Sequence, residues 1–110
     1  MAVCNLQDRK CVPCEGGVAP LGTEEIELLL NGLEGWQLAG EAIERGFHFG
    51  NHYEAMAFVN AVAWISHREN HHPEITVGYA DVRIRYWTHA IGGLSENDFI
   101  CAAKVDQLVL

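Results

Sequence analysis

Apolar residues recur along this chain first at helical spacing, then at strand spacing, and the period changes where glycine, proline and capping residues fall. Ile26, Leu29, Leu30 and Leu33 share one side of a helix predicted from Thr23 to about Leu33, with Thr23 placed to cap it and Glu24, Glu25 and Glu27 near its positive end. Trp36 to Ala39 and Ile43 to Phe49 read as strands, separated by Gly40-Glu41-Ala42, a loop of hairpin length. Ile43, Phe47 and Phe49 share one face of the second strand. Asn51 and Glu54 have the spacing of a capping box, and Met56, Ala57, Asn60, Ala61, Trp64 and Ile65 then recur at steps of three and four, which predicts a long central helix. That helix should stop near Asn70, because Pro73 disfavours a helical conformation in His72 and has no N–H to donate. Ile75, Val77 and Tyr79 alternate with polar or small residues, and Val82, Ile84 and Tyr86 do so after a tight turn near Ala80-Asp81. After a Gly92-Gly93 loop, Ser95 and Asp98 have capping-box spacing for a last helix to about Leu108.

Pairs of strands alternating with single helices predict a two-layer α+β domain, a four-stranded antiparallel sheet with helices on one face, in the order helix, two strands, helix, two strands, helix. A chain of 110 residues fits one domain, here residues 21–110. Residues 1–20 lack an apolar period, and Cys11-Val12-Pro13-Cys14-Glu15-Gly16-Gly17 is rich in turn formers, so an irregular arm on the surface is expected. No apolar run approaches the roughly 20 residues that span a bilayer, and Met1-Ala2-Val3-Cys4-Asn5 lacks the basic-then-apolar order of a signal peptide. The expectation is a soluble, cytoplasmic protein. Seven basic against fifteen acidic residues give a formal charge of −8, the wrong sign for gripping nucleic acid or an anionic membrane surface.

The candidate chemistry is imidazole chemistry. His71-His72-Pro73 enters the third strand and His89 leaves the fourth, sixteen residues after the proline, so antiparallel pairing would bring the three rings to one pocket. Paired imidazoles suit proton transfer near neutral pH. Three histidines could also ligate zinc, but adjacent strand residues point to opposite faces, which makes His71 and His72 awkward joint ligands. His48, His52 and His67 have no clear chemical partner and read as solvated polar residues. Asp98 reads first as a cap, and Trp36 and Trp87 could flank a flat heterocycle by stacking or belong to the core. Arg83 and Arg85 could attract an anionic substituent, but pairing with acidic neighbours is the simpler reading. Cys11 and Cys14 have knuckle or redox spacing, with Cys4 and Cys101 as further thiols, although reduced thiols on an arm explain them as well.

The stretch from His67 to Asp98 resembles the signature of the pterin-4a-carbinolamine dehydratases, in its bacterial form. The matching residues are His67, then His71-His72-Pro73, then Tyr79, His89 and Asp98. The resemblance extends outward through Phe47-His48-Phe49, the segment from Ala57 to Ala63, Gly93-Leu94-Ser95 and Asn97-Asp98-Phe99-Ile100, and so covers Leu21 to Leu108. Bacterial members can also carry a cysteine-bearing extension similar to Cys11-Val12-Pro13-Cys14-Glu15.

The resemblance implies a 4a-hydroxytetrahydropterin substrate that loses water to give a quinonoid dihydropterin, with no metal or organic cofactor, recycling pterin for an aromatic amino-acid hydroxylase. It places acid–base duty on His71 and His89 and substrate orientation on His72, with Pro73, His67 and Glu69 on the substrate side. Many relatives have glutamate where this chain has His67, so a carboxylate that orients an imidazole is either missing here or supplied by Glu69. The family also implies a homodimer or homotetramer. It contains members that act instead as dimerisation partners of a transcription factor or as assembly factors for a carbon-fixing enzyme of carboxysomes, and others suspected of a role in molybdopterin metabolism.

Overall fold

The computed structural model describes residues 6–13 and 19–109. After a short 3-10 turn, Leu6–Asp8, the elements are α1 (Thr23–Leu30), β1 (Gln37–Ala39), β2 (Ala42–His48), α2 (His52–Glu69), β3 (Glu74–Val77), β4 (Asp81–Tyr86) and α3 (Glu96–Asp106). Further 3-10 turns cover His89–Ile91 and Gln107–Val109. The four strands form one antiparallel sheet in the order β1-β2-β4-β3, so the two hairpins join through β2 and β4. The architecture is the expected α+β arrangement. Among the described residues, no helix is long and apolar enough to cross a membrane.

Strand alternation decides the faces. Ile43, Phe47, Val82, Ile84 and Tyr86 are buried on the helix side, while His48, Asp81 and Arg83 are exposed on the other. From α2 the core receives Ala55, Phe58 and Val62, with Phe58 packed 4.7 Å from Phe47 and 5.0 Å from Phe49 between ring centroids. This corrects the expected core stripe. Of that stripe only Ile65 packs on the core, whereas Ala57, Asn60 and Trp64 face solvent. The helix is apolar nearly all round, so two overlapping stripes fit the same period; the one carrying Phe58 and Val62 fills the space above the sheet. A second run, Tyr53, Ala57 and Trp64, is left outside, with Tyr53 83% and Trp64 61% exposed.

Helix ends differ from expectation in small ways. Gly22, not Thr23, is the N-cap of α1, and its N–H donates to Glu25 Oε1 at 3.3 Å. At α2, Asn51 Oδ1 accepts from Glu54 N, but Glu54 Oε1 reaches Gly50 N, one residue earlier than a capping box requires. Asn70 closes α2 in the left-handed region, at φ 52°, ahead of Pro73. Tyr79 lies in the turn between β3 and β4 rather than in a strand, stacked on His52. Gly93 lies so close to Pro20 that a Cβ there would fall 2.8 Å from the proline ring, which ties the start of the domain to the loop after β4.

The N-terminal arm does not lie loose on the surface. Leu6 is 2% exposed and belongs to the core, and Cys11 packs against that core from the edge. Cys4 and Cys14, and with Cys14 the second half of the proposed thiol pair, lie outside the described residues.

Candidate active site

The left-handed turn at Asn70 and the rigid Pro73 carry the chain from α2 into β3, and His71 and His72 diverge within that corner. His71 turns inward. Its side chain is 13% exposed, its ring lies parallel to Tyr86 (8° between planes, centroids 5.8 Å), and Nε2 sits 2.6 Å from Oδ1 of Asp98. His72 stays exposed and meets His89 edge-on, with ring centroids 5.5 Å apart. His89 in turn stacks on Trp87 at 4.4 Å and 18°. Pairing of Glu74 with Arg85 sets the two chain ends opposite one another, which explains the meeting of His72 and His89.

Asp98 holds the inner half of this arrangement. It is fully buried, and besides His71 it accepts from Thr88 Oγ1 at 2.8 Å and from Ser95 N at 3.0 Å through Oδ2. Thr88 Oγ1 and Ser95 Oγ are themselves 2.7 Å apart. The capping position and the histidine partner are therefore one residue: the first turn of α3 supplies the cap, and the fold points the remaining oxygen at the imidazole. An acceptor facing Nε2 favours the tautomer with the proton on that nitrogen, leaving Nδ1 as the ring's free acceptor.

These rings open on a cleft of about 550 Å³ lined by His71, His72, Trp87, Thr88, His89 and Asn97, with Arg68, Glu69 and Asn70 from the end of α2 and Lys10 to Pro13 from the arm. The volume lies within the roughly 300–1,000 Å³ usual for a small-molecule site. Glu69 lines the cleft, but its carboxylate is already engaged: Oε1 accepts from Cys11 N at 2.9 Å and Oε2 lies 3.8 Å from Lys104 Nζ. Burial alone would raise this carboxyl; the Cys11 N–H and the charges of Lys104 and Lys10 outweigh it and hold Glu69 below its ordinary value. Glu69 therefore fastens the arm and does not orient a histidine.

Other expected site residues lie elsewhere. Trp36 does not line the cleft: it is 5% exposed, packs on Phe47 and Tyr86, and donates Nε1–H to Asp106. Arg45 joins the same carboxylate at 2.8 Å. His67 is exposed against Trp64, and neither it nor Pro73 lines the cleft, although Pro73 shapes the corner that does. Arg85 pairs with Glu44 and Glu74, as the simpler reading held. Trp87, weighed with Trp36 for stacking, is the tryptophan at the site. Asn97 and the arm fell within the family resemblance, but no spacing or periodicity marked them as part of the site.

Two buried groups stand behind the site. The Tyr86 hydroxyl has no partner in hydrogen-bonding geometry among the described residues, although Ser66 is near, and burial pushes its phenol up from the ordinary value. Cys101 is fully buried with its sulfur 3.4 Å from that of Cys11; this contact and burial push the Cys101 thiol up, so it stays protonated. Among the described residues, no three His, Cys, Asp or Glu side chains come together as a metal-ligand cluster.

Comparison with known proteins places this geometry in a family. Residues 19–108 match the family model described as pterin 4 alpha carbinolamine dehydratase. A protein of Nitrosomonas europaea provisionally named pterin-4-alpha-carbinolamine dehydratase is 68% identical over 107 residues, covering 96% of this chain and 95% of its own. Among solved structures, a transcriptional coactivator/pterin dehydratase from Brucella melitensis matches with a TM-score of 0.78 and 32% identity, over 81% of this chain and 97% of that one. A pterin dehydratase-like protein identified as a RuBisCO assembly factor in the alpha-carboxysome matches with a TM-score of 0.56 and 30% identity, over 66% of this chain and 84% of that one. The chain belongs to the pterin-4a-carbinolamine dehydratase family, which the residues from His67 to Asp98 had suggested.

Proposed function

We propose that this protein dehydrates a 4a-hydroxytetrahydropterin to the quinonoid dihydropterin, recycling the pterin of an aromatic amino-acid hydroxylase in the cytoplasm. The observation that carries this reading is the shared cleft in which His71, paired with buried Asp98, opens beside His72 and His89. Forming the C4a=N5 bond requires a proton for the departing 4a-hydroxyl and removal of the proton on N5. One acid and one base suffice, and the reaction calls for no cofactor. His71 is the base in this reading, because Asp98 occupies its Nε2–H and leaves Nδ1 to take the N5 proton. His89 is the acid at the hydroxyl, and Trp87 holds its ring in place. His72 orients the pterin from the edge of the same cleft.

The test follows the decay of freshly generated 4a-hydroxytetrahydropterin by its ultraviolet absorbance. Acceleration by the wild-type protein that collapses in folded His71→Ala and His89→Ala variants is expected; decay no faster than in buffer, with the protein folded, overturns the reading.

A second reading, as an assembly or dimerisation factor, is favoured by one observation, the exposed Tyr53, Ala57 and Trp64 on α2. An apolar run of this kind is suited to a protein partner, including a second copy of this chain in a homodimer or homotetramer. Light scattering on the wild-type protein and on Trp64→Glu separates these: a loss of mass in the variant assigns the run to self-association, and an unchanged monomer removes that role.

A further inference from the structure

The family model begins at residue 19, yet Lys10, Cys11, Val12 and Pro13 form one wall of the cleft. The wall is built. Val12 N donates to Asn97 Oδ1 at 3.0 Å and Asn97 Nδ2 to Val12 O at 2.6 Å, a two-way pairing with a residue that is 5% exposed. Cys11 N donates to Glu69, and Lys104 Nζ donates to Gln7 O at 2.7 Å. The Nitrosomonas europaea relative matches 96% of this chain, a span that must include most of the arm.

Charge is distributed unevenly around this wall. The chain has seven lysines and arginines against fifteen acidic residues. Arg9, Arg45, Arg85 and Lys104 lie within salt-bridge distance of carboxylates. Lys10, Arg68 and Arg83 have no such partner among the described residues, and two of them, Lys10 and Arg68, line the cleft. Among the described residues, the only carboxylate that lines the cleft is Glu69, already held by Cys11 N and Lys104. In a protein of charge −8, the mouth of this cleft therefore carries two cations, Lys10 and Arg68, against one carboxylate that Lys104 also faces.

We propose that the arm is a built wall of the substrate cleft and that it carries Lys10 to the same mouth as Arg68, forming a subsite for an anionic substituent, a phosphate or a carboxylate, on the pterin side chain. The proposal rests on the pterin reading of the cleft. Asn97 acts as a positioning residue for the wall, through its paired bonds to Val12. Two exposed charge pairs of this kind favour an anionic over a neutral ligand by about fivefold at low salt, and the preference shrinks as salt screens it.

Calorimetric titration with stable oxidised pterins tests this without turnover, using 6-hydroxymethylpterin, its phosphate ester and 6-carboxypterin. The expected result is tighter binding of the anionic pterins at low salt, with the ratio falling towards one in Lys10→Gln/Arg68→Gln and in Val12→Pro, which removes the N–H given to Asn97. Arg83→Gln, on the open face of the sheet, is the control that keeps the ratio. A better fit of the ester or of the carboxylate identifies which anion the subsite takes. Equal affinity for neutral and anionic pterins in the wild-type protein overturns the subsite, as does a preference that survives the double variant. A preference lost in the double variant but kept in Val12→Pro overturns the role of the arm's anchoring. No binding of any pterin overturns the functional reading itself, a result separate from the others.

Discussion

The two halves of the cleft are built on opposite principles. His71 is enclosed, parallel to Tyr86 and fastened to a carboxylate that no solvent reaches. His89 is exposed, held by stacking on Trp87 and by the short turn it begins. A hydrogen bond to a buried, fully satisfied carboxylate sets both the angle and the tautomer of a ring, whereas stacking sets its plane and leaves both nitrogens open. The inner half is thus part of the fold and the outer half is mostly surface, so changes to the two should separate stability from chemistry.

The largest effect expected is at Asp98. Asp98→Asn places an amide donor against Thr88, Ser95 or His71, each of which already donates, and should cost about 1–3 kcal/mol of folding stability and lower kcat by about 10²- to 10⁴-fold. Chemical denaturation and the carbinolamine decay assay measure the two losses; a variant that loses activity with no loss of stability would show that the buried network is not structural. His89→Ala should match it in activity, with a loss of about 10²-fold, while its midpoint of unfolding stays near wild type because the ring is exposed. A large loss of stability there would erase the contrast between the halves.

Glu69 sharpens the contrast through pH. Its folded pKa lies below 4.5, so as pH falls the unfolded chain takes up this proton first. Its contribution to stability is complete above 4.5 and is lost as pH drops through the lower folded value. Glu69→Gln should remove that part of the acid dependence of unfolding and loosen the arm at Cys11; an unchanged acid profile would remove Glu69 from the arm's anchoring. The smallest effect is at Tyr86, whose buried hydroxyl has no hydrogen-bond partner among the described residues. Tyr86→Phe keeps the ring against His71 and should change stability by no more than about 1 kcal/mol, in the stabilising direction, which denaturant unfolding resolves; clear destabilisation would reveal a bond from the hydroxyl to Ser66.

Much of this is legible in the sequence. Strand alternation at Val82, Ile84 and Tyr86 matched burial because a sheet with one covered face imposes a period of two. The end of α2 was legible because proline acts locally, through its own ring. The face of α2 was not legible, since two apolar stripes satisfy the same helical period and only Phe47 of β2 and Phe49 just after it discriminate between them. Between a stacking surface and the core, the sequence leaves Trp36 open for a related reason. Nothing near it in sequence announces Asp106, seventy residues away, as the acceptor of its indole N–H. The arm has no apolar period and reads as surface, yet its contacts run to residues 69, 97 and 104.

By itself the sequence determined the order of elements, the hairpins, the histidine-bearing corner before β3 and the family, all of which rest on local backbone preferences or on spacing along the chain. Only the tertiary structure decided that β2 pairs with β4, that Asp98 both caps α3 and holds His71, and that the arm walls the cleft. Those are contacts between residues far apart in sequence, chosen by which buried polar groups can be satisfied and which apolar faces can be covered together, and no period along the chain encodes that choice.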